Sequence, residues 1–378
     1  MIITMKHLKK LAALMIAGAV SAGSAFSAFA AFDDMPDGEM GVAIENAVNN
    51  GLLTGYEDNT VKPYEPITRA QMSAIIVRAF GATERTATSF GDVPDDAWYK
   101  ESVEQAVYMG AFEGDDNGNF NPNNNITFQE TYTVLARVFQ FVSRDITVSP
   151  RVENSVEETL AEYSRINNPT YTTSERDGNT YVTITGKLCE PDDSVLDSFP
   201  DKDQVASWAL DYTKAVVGNG GYTGIDGMLK PNDSISRGEF AMVMDELVSL
   251  YIDEEGTYTD GFGSGSVVVR SGGVTIDGLD TDNNLILSYG IDSATEVKNS
   301  TIGNCIVVYG GTDPTPVENE SGNLRADESF ISISANMYDC RIFAPYSETS
   351  VSWTNENPRE VFIKSYPDTA VVNLGFMQ

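Results

Sequence analysis

The chain has 378 residues, is 41% hydrophobic and 21% charged, and carries a formal net charge of −32 at pH 7. Such acidity excludes wholesale binding to nucleic acid or an anionic membrane, and confines any anionic partner to a local cationic pocket. Its single histidine, His7, falls in a leader-like N-terminus, so Ser-His-Asp catalysis, Cys-His catalysis and histidine-ligated metal sites are excluded from the folded part.

Residues 1–30 read as a secretory signal peptide. Lys6, Lys9 and Lys10 precede an apolar run at 11–20, and small residues lead to a cut after Ala30. No later apolar run is long enough to span a bilayer. From Phe32 the chain then repeats itself three times. The anchors are Phe-x-Asp at Asp34, Asp92 and Asp201, and Gly-x-x-x-Gly at Gly51/Gly55, Gly110/Gly114 and Gly220/Gly224. Prolines at Pro63, Pro122 and Pro231 follow, each four residues before Ile67, Ile126 and Ile235.

Each unit predicts a first helix closed by its first glycine, a polar loop, and a second helix. The second helix opens on a capping box: Thr68-x-x-Gln71, Thr127-x-x-Glu130 and Ser236-x-x-Glu239. A unit of about fifty residues buries little alone, so the three must share a core.

Between the second and third units, 142–197 is an insertion whose Asp177-Gly178 predicts a β-hairpin. Residues 253–264 are acidic and glycine-rich and read as a linker. From 265 to 378, short β-type runs separated by Gly, Asn and Asp fit a small β-solenoid or a compact sandwich. Interleaved NST and SGG turns favour the solenoid. The three cysteines form no disulfide framework. Either a Cys305–Cys340 bridge or three separate thiols fits. Residues 115–119 (DDNGN) start like a calcium loop, but Phe120 stands where an EF-hand needs glycine, so no metal is expected.

The order Phe-x-Asp, Trp, Gly-x-x-x-Gly, Pro and ITRAQ resembles the S-layer homology (SLH) domain, over 31–83, 89–141 and 198–252. The resemblance implies an α+β multidomain chain, with a pseudo-threefold helical trimer of repeats followed by the small all-β domain. It further implies a secreted protein at the cell wall or S-layer surface. Its partners would be a secondary cell-wall polysaccharide, often pyruvylated, and, for a lattice, other S-layer subunits, with no cofactor. A non-enzymatic anchor is expected. The alternative is a wall-anchored polysaccharide lyase or glycoside hydrolase with the solenoid as catalytic module.

Arginine beside a helix N-terminus suits a carboxylate, because the guanidinium fork and the helix amides converge there. Candidate glycan-binding residues are therefore Arg69, Arg237, Thr68, Ser236, Gly55, Tyr56, Gly114, Gly224, Trp98 and Trp208. For the arginines, a structural salt bridge is the competing role; for the tryptophans, burial between repeats. Phe128 replaces the arginine in the second unit and Met40 the tryptophan in the first, which leaves one or two grooves, led by Arg69 and Arg237.

Overall fold

The computed structural model describes residues 32–310 and, beyond them, strand segments 316–318, 324–326, 331–343, 348–354, 362–366 and 371–375. The leader expected at 1–30 lies outside the described residues.

Each repeat supplies two helices: α1 (Glu39–Asn49) and α2 (Arg69–Ala79), α3 (Lys100–Tyr108) and α4 (Phe128–Val138), then α6 (Leu210–Gly218) and α7 (Arg237–Leu247). The helices pack across repeats: α1 on α7, α3 on α2 and α6 on α4. Each first helix thus rests on the second helix of the preceding unit, and the third unit closes back onto the first. Short amphipathic helices bury a full face only in this closed arrangement.

The axis of the ring is a cycle of main-chain hydrogen bonds. Ile67 N–H donates to Ile235 O (2.9 Å), Ile126 N–H to Ile67 O (2.9 Å), and Ile235 N–H to Ile126 O (3.0 Å). All three isoleucine side chains are fully buried in one core shared by every repeat.

The insertion is a separate three-stranded antiparallel sheet of order β1 (Arg144–Val148), β3 (Asn179–Leu188), β2 (Asn167–Arg176), with helix α5 (Val156–Ala161) beside it. Its β2–β3 turn is Asp177-Gly178, with φ of 53° and 73°, the left-handed pair a two-residue hairpin requires.

The C-terminal region is a parallel β-solenoid. Val267 pairs with Leu285 and Leu285 with Ile306, all in register, and the next rung continues through the strand Ile331–Phe343. The alternation of the strand pleat decides its two faces. Val267, Val269, Leu285, Leu287, Ile306 and Val308 fill the solenoid interior. Val268, Ile286 and Val307 point the other way, into the core of the helical ring.

The expected linker at 253–264 is corrected by this arrangement. Strand β4 (Val248–Ile252) follows α7 directly and pairs with β6 (Ser266–Val269), while β5 (Gly256–Tyr258) pairs with β7 (Val274–Asp277). The acidic stretch is the first solenoid coil, and Phe262 within it is buried. Cys305 is buried. The Cys340 side chain, the other half of the bridge considered above, lies outside the described residues.

Candidate functional site: three seams of unequal charge

At each seam the start of a second helix faces the loop of the following repeat. The wall of the seam is built identically three times. Asp34 accepts the amides of Val61 and Lys62, Asp92 those of Phe120 and Asn121, and Asp201 those of Leu229 and Lys230. These carboxylates hold the loop, as a turn-capping role requires. Gly55, Gly114 and Gly224 answer to packing: a Cβ there would collide with Phe32, Phe90 and Phe199, the phenylalanines of Phe-x-Asp.

The two arginines reach across the seam in the same way. Arg69 Nε donates to Phe120 O (2.8 Å) and its Nη2 to Glu113 O (3.2 Å) in the second repeat. Arg237 Nε donates to Val61 O (2.7 Å) and its Nη2 to Thr54 O (2.7 Å) in the first. In each case Nη1 is the guanidinium nitrogen not used on the wall.

The helix starts themselves are closed, which corrects the expectation of open amides. Thr68 and Ser236 hydroxyls accept from Gln71 and Glu239 amides, completing both capping boxes. Arg69 and Ala70 amides donate to Asn124 O and Pro122 O; Arg237 and Gly238 amides donate to Glu65 O and Pro63 O. The neighbouring repeat therefore takes the donors that an anion would use. Attraction for an anion rests on the side-chain cations.

Those cations differ sharply among the seams. At the first, Arg69 Nη1 lies 3.6 Å from Glu130 Oε1, and the guanidinium sits over Phe112 and Phe120. At the third, no carboxylate lies within 4.0 Å of Arg237 among the described residues. Its guanidinium stands 5.1 Å from the centre of the Tyr56 ring, and Lys62 Nζ, 3.8 Å from Glu65 Oε1, stands 4.2 Å from the same ring. Tyr56 thus gathers two cations rather than presenting a bare platform to a sugar. Burial lowers the pKa of both arginines, opposed by Glu130, Asp115 and Asp92 at Arg69 and by Tyr56, Glu65 and Asp34 at Arg237. Both remain charged, since an ordinary guanidinium titrates far above neutrality.

The second seam is sealed. Phe128 is buried, and the carbonyl that an arginine would hold, Leu229 O, accepts instead from the Tyr132 hydroxyl (2.6 Å) one helical turn further on. Lys230 lies 6.0 Å from the Phe128 ring but is paired with Glu239 (3.1 Å). Removing the hydroxyl should leave a buried carbonyl unpaired. Tyr132→Phe is therefore expected to lower stability by about 1–3 kcal/mol in urea denaturation, with no change in ligand binding.

Trp98 and Trp208 are exposed (67% and 54%), just before α3 and α6, so burial between repeats does not explain them. Three residues that matter were not singled out from the sequence: Lys62, Tyr132 and Arg78, whose Nη2 donates to Leu52 O (2.8 Å) and braces the Gly51–Gly55 loop. Tyr132, a large aromatic with a hydroxyl four residues after Phe128, was the visible signal for the substitution.

Helix–loop–helix repeats closed into an intrachain trimer define a repeat-built module. Residues 31–73, 89–131 and 198–241 match the S-layer homology domain. The chain carries three S-layer homology domains. It is 24% identical over 210 residues to a surface-layer 125 kDa protein of Lysinibacillus sphaericus, covering 54% of this chain and 14% of that protein. It is 29% identical over 145 residues to a surface layer protein of Brevibacillus choshinensis, 36% of this chain and 13% of that one. An amylopullulanase of Thermoanaerobacterium thermosulfurigenes matches at 28% over 113 residues, 30% of this chain and 6% of the enzyme. The chain therefore aligns with only a small part of each of these much longer proteins.

Proposed function

We propose that the protein is a non-covalent anchor at a bacterial cell surface, holding to the wall through an acidic, pyruvylated secondary cell-wall polymer. The groove between the third and first repeats is the main binding site. One observation carries this reading: Arg237 and Lys62 converge on Tyr56, with Arg78 close enough to Arg237 for its pKa to be lowered by that like charge after burial. A partly buried cluster of cations in a strongly acidic protein favours a carboxylated ligand and discriminates against neutral glycans. Matches to surface-layer proteins support the setting.

The protein without residues 1–30 should sediment with isolated walls, and that association should fall sharply on walls lacking pyruvyl groups. Undiminished sedimentation with such walls would overturn the acidic-ligand reading.

A further inference from the structure

Among the described residues, one solenoid side chain hydrogen-bonds at the start of a seam loop, that of Gly51–Gly55. Arg270, which follows β6, is held by a two-pronged pair with Asp253: Nε to Oδ1 and Nη2 to Oδ2, both 2.6 Å. The same guanidinium lies 4.5 Å from the Tyr251 ring. Fixed in this way, Nη1 donates to Arg78 O (3.2 Å) and Nη2 to Asn50 O (3.0 Å).

These two carbonyls have a particular place. Asn50 caps the C-terminus of α1 and is followed at once by Gly51, where the loop begins. Arg78 is the residue whose own guanidinium braces Leu52 O, two residues into that loop. Thr54 O, further along, is the acceptor for Arg237 Nη2. Five contacts therefore link Asp253 through Arg270 and the Gly51–Gly55 loop to Arg237. Among the described residues, no hydrogen bond joins the solenoid to the corresponding loops at Gly110–Gly114 or Gly220–Gly224. The solenoid also caps the end of α4, through Tyr309 to Val138 O and Asn284 to Phe139 O.

We infer that the solenoid is part of the binding unit, and that Arg270 is a positioning residue for the groove led by Arg237. A loop whose carbonyls are already aligned loses less conformational entropy when a ligand arrives, and a guanidinium held by those carbonyls keeps its remaining N–H groups aimed. The inference rests on the assignment of that groove as the main site.

The test uses the full chain without residues 1–30, with a pyruvate-ketal hexosamine methyl glycoside as probe. Two readouts are taken: probe affinity, and amide hydrogen exchange of the ligand-free protein. Arg270→Ala should weaken the probe roughly tenfold, the effect of losing about one hydrogen bond's net contribution. Exchange should accelerate at Leu52–Thr54 and stay unchanged at 111–113 and 221–223. Arg270→Lys, which keeps one donor, should recover part of both effects.

Unchanged exchange at Leu52–Thr54 in Arg270→Ala would overturn the inference. Equal acceleration in all three loops would also overturn it, since it would mean general destabilisation. If Arg237→Ala leaves probe affinity intact, the groove assignment fails by itself. The exchange arm, measured without ligand, still decides whether Arg270 positions the loop.

Discussion

Arg237→Ala is expected to reduce affinity for pyruvylated wall polymer by at least about thirtyfold, the lower end for losing a desolvated charged contact. Arg69→Ala should change it by no more than about threefold. The two arginines occupy equivalent positions and make equivalent wall contacts. Their difference lies in the third nitrogen, which lies 3.6 Å from Glu130 at Arg69, whereas among the described residues no carboxylate comes within 4.0 Å of Arg237. Arg237→Lys would keep the charge but lose the fork that spans Val61 O and Thr54 O, so it should recover only part of the affinity. Glu130→Gln should strengthen binding at the first seam by releasing Arg69. Calorimetric titration of each variant would measure these changes. Equal losses from Arg69→Ala and Arg237→Ala would refute the asymmetry.

The second large effect concerns stability. Ile126 lies on the axis of the ring, is fully buried, and shares the main-chain cycle with Ile67 and Ile235. Ile126→Ala should destabilise the protein by about 3 kcal/mol, within the range for large-to-small changes in packed cores. For a cooperative unit of more than 250 residues that corresponds to a melting point roughly 4–5 °C lower. Because one core joins all three repeats to Val268, Ile286 and Val307 of the solenoid, scanning calorimetry should show a single transition that moves as a whole. A split into a shifted helical transition and an unmoved β transition would contradict the shared core.

Much of this organisation was legible in the sequence, for local reasons. Capping boxes, helix-ending glycines and the Asp-Gly hairpin act within a few residues of themselves, so their spacing reports them. The three-residue β runs with Asn and Gly turns likewise carry the solenoid's coil. What was not legible depends on chain closure. Nothing near Thr68 shows that Asn124 and Pro122 will take the amides beside it, because those carbonyls arrive from the next repeat. Phe128 showed that an arginine was missing, but Tyr132 had to be seen in place to show what holds Leu229 O instead. The acidic run at 253–264 has a linker's composition. It is ordered because Asp253 meets Arg270 and because Gly256–Tyr258 pairs with β7.

Helix α7 begins at Arg237 and ends at Leu247, and Val248 opens the first solenoid strand without an intervening residue. Eleven helical residues span about 16 Å. Tension applied to the far end of the solenoid would thus enter the anchor along a stiff rod that terminates in the groove led by Arg237. Among the described residues, none lies between α7 and β4 to absorb it. Were the groove to hold the wall as proposed, the attachment would act under shear as a rivet, with the direction of pull set by the fold.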